Sequence, residues 1–225
     1  MDMSTSGLSR YLAHSAVIDC KHPAVAAMAH ELTRGLDDEH TKVQRCFEFV
    51  RDEIRHSWDY RQGPLTCNAS DVLQHRTGYC YAKSHLLAAL LRANGIPAAL
   101  SYQRLSVGDG GAPYCLHGLN AVYLRAHGWY RIDARGNKPG VDARFSPPRE
   151  ALAFSTAEAE THDLPGLFAE PVPAIVASLA THSDIAALHA DLPDVTLADW
   201  LRLHSEARNA AIPIEAAKAA KAAQR

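Results

Sequence analysis

Residues 78–98 read GYCYAKSHLLAALLRANGIPA, and this stretch constrains the fold more than any other. Leu86, Leu87, Leu90 and Leu91 fall on one side of a helical wheel, Asn94-Gly95 supplies a C-terminal stop, and Pro97 stands just beyond. The spacing predicts a helix over 80–94 running into a strand at 98–105. Cys80 opens that helix. It lies about 50° from the centre of the leucine stripe, so it points toward the body of the protein. It also falls in the first turn, where free N–H groups and the helix dipole favour an anion. A thiolate is stabilised at such a place. The plainer alternative is a small apolar residue on a core-facing flank, since free cysteine is often buried and inert.

The flanking sequence predicts the elements around this helix. HPAVAAMAHELTR reads as a helix over 22–34. A stronger one follows over 41–56, where Val43, Phe47, Val50 and Ile54 form one apolar stripe and Thr41 or Asp38 serves as cap. SWDYRQGPLTCNAS reads as a loop, with a short helical turn at 71–75 after it. Downstream, SVGDGGAPY is a glycine-rich loop. Residues 115–124 and 129–133 read as strands joined by a turn at Ala126-His127-Gly128. After Asn137 the texture becomes turn-rich and then mostly helical, in VPAIVASLATH, LADWLRLHSEARNAA and, beyond the break at Pro213, IEAAKAAKAAQR. The expected division is a core over 1–145 and a helical extension over 146–225 packed on it.

Composition narrows the function. At 47% hydrophobic and 21% charged the chain builds an ordinary core, and a net charge of −2 gives no reason to expect nucleic acid or an anionic membrane as partner. No apolar run approaches the ~18 residues of a membrane span. MDMSTSGLSRYLAHSAVIDC lacks a basic start followed by an apolar stretch, so we expect no signal peptide and a cytoplasmic location. The five cysteines (Cys20, Cys46, Cys67, Cys80 and Cys115) form no CxxC pair, which argues against a disulfide framework. Cys115-x-His117 is the closest approach to metal spacing, and it lacks ordered further ligands. There is no calcium-loop, dinucleotide or Walker pattern. We expect no metal and no cofactor.

The company Cys80 keeps decides between its two readings. His117 opens one strand and Asp133 closes the next. A thiol on a helix N-terminus with a histidine and a carboxylate on a sheet is the layout of a nucleophile, base and orienter. Gly78-Tyr79-Cys80, Gly95-Ile96-Pro97-Ala98, His117 and Trp129-Tyr130-Arg131-Ile132-Asp133 occur in this order, preceded by FEFVRDEIRHSWDY. In these motifs, over roughly residues 40–137, the chain resembles the transglutaminase-like (papain-like fold) cysteine enzymes. The resemblance implies an α+β fold with the Cys80 helix packed on an antiparallel sheet, to which the helical pattern after residue 145 adds extra C-terminal helices. It implies Cys80 as nucleophile, His117 as base and Asp133 as the residue that orients His117.

The chain departs from the family pattern in three places. Leu119 stands where an aromatic is frequent, Ala134 where proline is common, and the upstream side chain that helps bind the oxyanion has no clear counterpart. Trp58, Tyr60, Gln62 and Asn68 are the candidates for that role, with the Cys80 backbone N–H as a further donor. Tyr79, Tyr81 and Arg135 flank the motifs and are candidates for substrate contact. His85 lies about 140° around the helix from Cys80 and reads as structural or solvent-facing. A two-residue turn at His127-Gly128 would pair Asp133 with Val122. Direct opposition to His117 requires a hairpin centred near Arg125, and Asn137 is the substitute orienter under another register.

The chemistry this implies is acyl transfer through a thioester on Cys80. The expected reaction is hydrolysis of an amide or peptide bond in a small-molecule amide, peptide or protein substrate. The alternatives are transamidation to an amine and a catalytically idle binding module. Arylamine N-acetyltransferases share the Cys-His-Asp logic, but Thr77-Gly78-Tyr79-Cys80 does not match their R-G-G-x-C approach. The sequence leaves the oligomeric state open.

Overall fold

In the computed structural model, which describes residues 7–108 and 110–210, Pro23 starts α1 (Pro23–Leu32). Asp38 caps α2 (Glu39–Glu48), its carboxylate accepting the Thr41 N–H at 2.8 Å. The helix expected to reach residue 56 does not: Phe49–Glu53 widens into a π turn and Ile54 is extended. The cause lies on another element. The Lys83 amine donates to the carbonyls of Arg51 (3.3 Å) and Ile54, and so satisfies the end of the helix from outside. The chain continues through β1 (Arg55–His56), α3 (Ser57–Tyr60), α4 (Ala69–His75) and β2 (Thr77–Gly78) into α5 (Cys80–Ala93). β1 and β2 pair in parallel, with His56 opposite Gly78.

The leucine stripe understates how deeply α5 is set. Every residue from Cys80 to Arg92 is buried, polar ones included. Each polar side chain has a backbone partner, as burial demands. Ser84 donates to the Tyr81 carbonyl, His85 Nδ1 meets the Cys67 carbonyl at 2.8 Å, and Arg92 reaches the carbonyls of Ala13, Ala98 and Ala169. Of the two readings of His85, the structural one holds.

The sheet comprises β3 (Ala98–Ser106), β4 (Tyr114–Leu124), β5 (Gly128–Ile132) and β6 (His162–Phe168), antiparallel in the order β5-β4-β3-β6. α5 lies hard against β4. A Cβ on Gly118 would come within 3.0 Å of the Tyr81 ring and 3.2 Å of its Cα, so only glycine fits there. Asn120 Nδ2 donates to the Ser84 carbonyl at 2.9 Å from the same face. β4 and β5 are joined by Arg125-Ala126-His127, with Leu124 opposite Gly128 and Gly128 at φ +73°. A three-residue loop of this kind closes on a left-handed glycine.

The expectation of a helical 146–225 needs correction. β6 lies inside that range and adds an edge strand to the sheet beside β3. Its sequence, HDLPGLF, reads as a turn because of Pro165-Gly166, but an edge strand tolerates a missing N–H. Arg131 on β5 ties the segment down, pairing with Glu150 at 2.7 Å and Asp163 at 2.6 Å. α6 (Pro173–Thr181) and α7 (Ile185–Ala190) follow as helices. The first compact unit runs to Asp194 and the second starts at Val195. The second contains α8 (Leu197–Ala210), started by Thr196, whose Oγ1 accepts the Asp199 N–H at 3.1 Å. Pro213 and IEAAKAAKAAQR lie outside the described residues. The architecture is α+β, with the cysteine helix on an antiparallel sheet.

Candidate active site

Cys80 begins α5 with Tyr79 in extended backbone before it, and it is only 4% exposed. His117 stands on β4, and Asp133 follows the last residue of β5. The structure brings His117 and Asp133 together: imidazole Nε2 lies 2.8 Å from Asp133 Oδ2. Direct cross-strand opposition is not what achieves this. Asn120 pairs with Ile132, so the register sets Asp133 level with Leu119, two residues along β4 from His117. Such diagonal neighbours share a face at about 7–8 Å and long side chains span the gap. Asp133 is fixed by two further donors, the Arg135 N–H on Oδ1 (3.1 Å) and the Ala153 N–H on Oδ2 (3.2 Å). Asn137 is not the orienter. Its side chain staples the following loop through both backbone groups of Ala143.

With Nε2 engaged by Asp133, the Cys80 thiol is the other polar group that acts on the ring. Burial works against a charged imidazole here. The Asp133 carboxylate and Cys80 outweigh it and push His117 up to about 10. Burial likewise works against the Asp133 carboxylate, but the facing His117 and the two backbone N–H groups hold it below the usual carboxylate range. The thiol, imidazole and carboxylate thus gather at a helix N-terminus, the parts a nucleophile, base and orienter would need. Desolvation pushes the buried Cys46 up to about 12 and the half-buried Cys67 up to about 11.

Cys80 and His117 line a cavity of about 500 Å³. Of the other candidates, Trp58, Tyr79 and Arg135 line it as well. Trp58 is sandwiched between Arg61 and His189, each 3.4 Å from its ring, and Tyr79 Oη lies 3.0 Å from His189 Nδ1. Arg135 is locked to Asp59 at 2.6 Å. Tyr60, Gln62, Asn68 and Tyr81 are not on the cavity wall. Tyr60 is 61% exposed, Gln62 accepts from Arg55 at 3.3 Å, and Asn68 precedes α4. The Tyr81 ring is wholly buried, with its hydroxyl donating to the Leu116 carbonyl. The loop after α3 turns these upstream side chains away, which spacing alone does not show.

Several wall residues were not anticipated. His56 enters through the β1–β2 pairing beside Gly78. Phe154, Glu158 and His189 come from the segment after residue 145, so the expected extension supplies part of the cavity. Phe154 meets the His117 ring edge-on at 5.1 Å. Cys115 was legible, since alternation puts it on the same strand face as His117. The others had no local signal, because long-range pairing brings them in.

Comparison with known proteins gives one family match. Residues 26–134 match the model of the Transglutaminase-like superfamily. No curated protein matches the chain. Among solved structures, a candidate cysteine protease from Cytophaga hutchinsonii is similar at 19% identity and TM-score 0.49, over 60% of this chain and 43% of that one. The periplasmic domain of TgpA from Pseudomonas aeruginosa is similar at 21% identity and TM-score 0.45, over 59% and 48%. This chain therefore spans less than half the length of either. Among the described residues no helix is long and apolar enough to cross a membrane. Residues 26–134, the stretch that holds Cys80, His117 and Asp133, are thus similar to the transglutaminase-like superfamily.

Proposed function

We propose that this protein hydrolyses an amide or peptide bond through a thioester on Cys80. The observation that carries the reading is the His117 imidazole, held at 2.8 Å by Asp133 and sharing a cavity wall with the Cys80 thiol. The Cys80 thiolate attacks the acyl carbon, and the Cys80 backbone N–H at the helix N-terminus helps hold the oxyanion. His117 protonates the leaving amine. Asp133 keeps the proton on Nε2 and orients the ring. The cavity suits a small-molecule amide or the end of a peptide. The unpaired state of all five cysteines supports a reducing compartment such as the cytoplasm.

The test is the iodoacetamide alkylation rate of Cys80 against pH, read by peptide mass spectrometry in wild type and His117→Ala. Fast labelling well below pH ~8.5, the unperturbed thiol value, that is weakened in the variant is the expected result. Slow labelling that ignores His117 would return Cys80 to a packing role and favour an idle binding module. Cys80→Ala is expected to fold and to lose turnover on every amide the wild type cleaves.

A further inference from the structure

His56 borders two spaces at once. It lines the main cavity with Cys80 and His117, and it lines a second pocket of about 130 Å³. Arg51, Asp52, Arg55, Lys83 and Asn137 also wall that second pocket. Its size and polar walls suit several waters. The His56 backbone pairs with Gly78, which sets the residue alongside the Tyr79-Cys80 turn, and its ring tilts against Tyr79 with centroids 4.9 Å apart.

The ring is 5% exposed, and Nδ1 is sealed off with no hydrogen-bond partner. Asp59 Oδ2 stands 3.6 Å from Nδ1, beyond a hydrogen bond but near enough to favour the proton there. Nε2 is then the nitrogen that carries the lone pair, on a ring that lines both spaces. Burial, with the charge of Arg135 adding to it, keeps the ring neutral well below the usual histidine range. A buried neutral imidazole with an unused acceptor between a reactive thiol and a polar pocket calls for a ligand that donates.

We propose that His56 Nε2 holds the water that hydrolyses the Cys80 thioester, supplied from the second pocket, and so commits the acyl-enzyme to water rather than to an amine. This rests on the reading of Cys80 as the nucleophile. In the step, the water oxygen bonds to the thioester carbon and His117 takes one water proton. The C–S bond breaks with its electron pair returning to sulfur. The second hydrogen, bonded to His56 throughout, leaves on the carboxylic acid, which then ionises in solvent. Water arriving by this route reaches the acyl carbon while the main cavity still holds the acyl group.

The experiment uses p-nitrophenyl acetate with n-butylamine as competing acceptor, on wild type, Cys80→Ala, His56→Phe and His56→Gln. It reads the nitrophenolate burst, the acetyl-enzyme by intact mass, and the partition of acetyl between water and amine. In His56→Phe the burst should stay near wild type. Deacylation by water should slow roughly tenfold, the worth of one hydrogen bond, and the partition should move toward the amine by the same factor. His56→Gln, whose amide oxygen accepts from water, should shift partway in the same direction. A merely structural role for His56 would alter burst and deacylation together and leave the partition unmoved, and that result overturns the proposal. So does a variant that loses the burst and keeps its deacylation rate. If His56→Phe does not fold, His56→Gln decides, and a wild-type partition there rejects the proposal. A wild type that forms no acetyl-enzyme, or forms as much as Cys80→Ala, sinks the nucleophile reading first and this inference with it.

Discussion

Two buried histidines line the same cavity, each with an aspartate beside it, and the protein pushes them in opposite directions. His117 is raised to about 10, and His56 is driven well below the usual histidine range. Burial opposes charge on both rings and is the largest single influence on each. The aspartates decide the difference. Asp133 sits 2.8 Å from His117, and its other donors are uncharged backbone N–H groups, so its field acts on the imidazole. Asp59 sits 3.6 Å from His56 and is already engaged by Arg135 at 2.6 Å and Lys138 at 2.8 Å. A carboxylate near a histidine therefore says little until its other partners are counted.

The largest expected effect comes from removing the aspartate whose charge is free to act. Asp133→Asn should lower kcat/KM by about 10²- to 10⁴-fold. With only Cys80 left to oppose burial, the His117 titration followed by NMR should fall toward its ordinary value. A His117 midpoint that stays high would assign the shift to Cys80 instead. A moderate effect comes from freeing the other aspartate. Arg135→Gln removes the cation that both neutralises Asp59 and repels a charged His56. The His56 midpoint should rise by roughly a unit, with His117 little changed. No movement of His56 would show that burial alone sets it.

Smaller effects appear in stability against pH, measured by urea denaturation. His117 has a folded pKa raised from 6.5 to about 10, so its contribution is fully present below 6.5 and is lost as pH rises through about 10. The stability gap between wild type and His117→Ala should shrink over that range. On the acid side, Asp133 contributes above its ordinary 3.8 and loses that contribution as pH falls through its lowered folded value. His56 runs the other way. Its folded pKa lies below 6.5, so the unfolded chain takes up a proton first as pH drops, and stability falls with it. His56→Phe should flatten the acid-side slope by up to one proton. An unchanged slope would mean that His56 charges freely in the folded state.

Much of the site's vicinity was legible because its signals are local. Asn94-Gly95 and the four leucines marked α5, alternation marked β4, and Asp38 stood where a cap belongs. The early end of α2 was not legible. Its apolar stripe continues to Ile54, and only the amine of Lys83, on another helix, stops it. β6 was masked by Pro165-Gly166, which local chemistry reads as a turn and an edge position tolerates. Tyr60, Gln62 and Asn68 were reasonable oxyanion candidates by distance along the chain, while of the upstream side chains it is Trp58 and, earlier still, His56 that reach the cavity. Spacing gives proximity in sequence but not the direction in which a loop turns.

By itself the sequence determined a cysteine at the mouth of a buried helix, followed by strands carrying a histidine and an aspartate. Periodicity, caps and turn residues act over a few positions and are readable there. Only the tertiary structure decided which carboxylate serves which histidine, how deeply Lys83 and His56 are buried, and that residues beyond 145 wall the cavity. Those outcomes depend on strand register and on charges brought within a few ångströms by distant parts of the chain, where Coulomb and desolvation energies are set by three-dimensional neighbours rather than by neighbours in sequence.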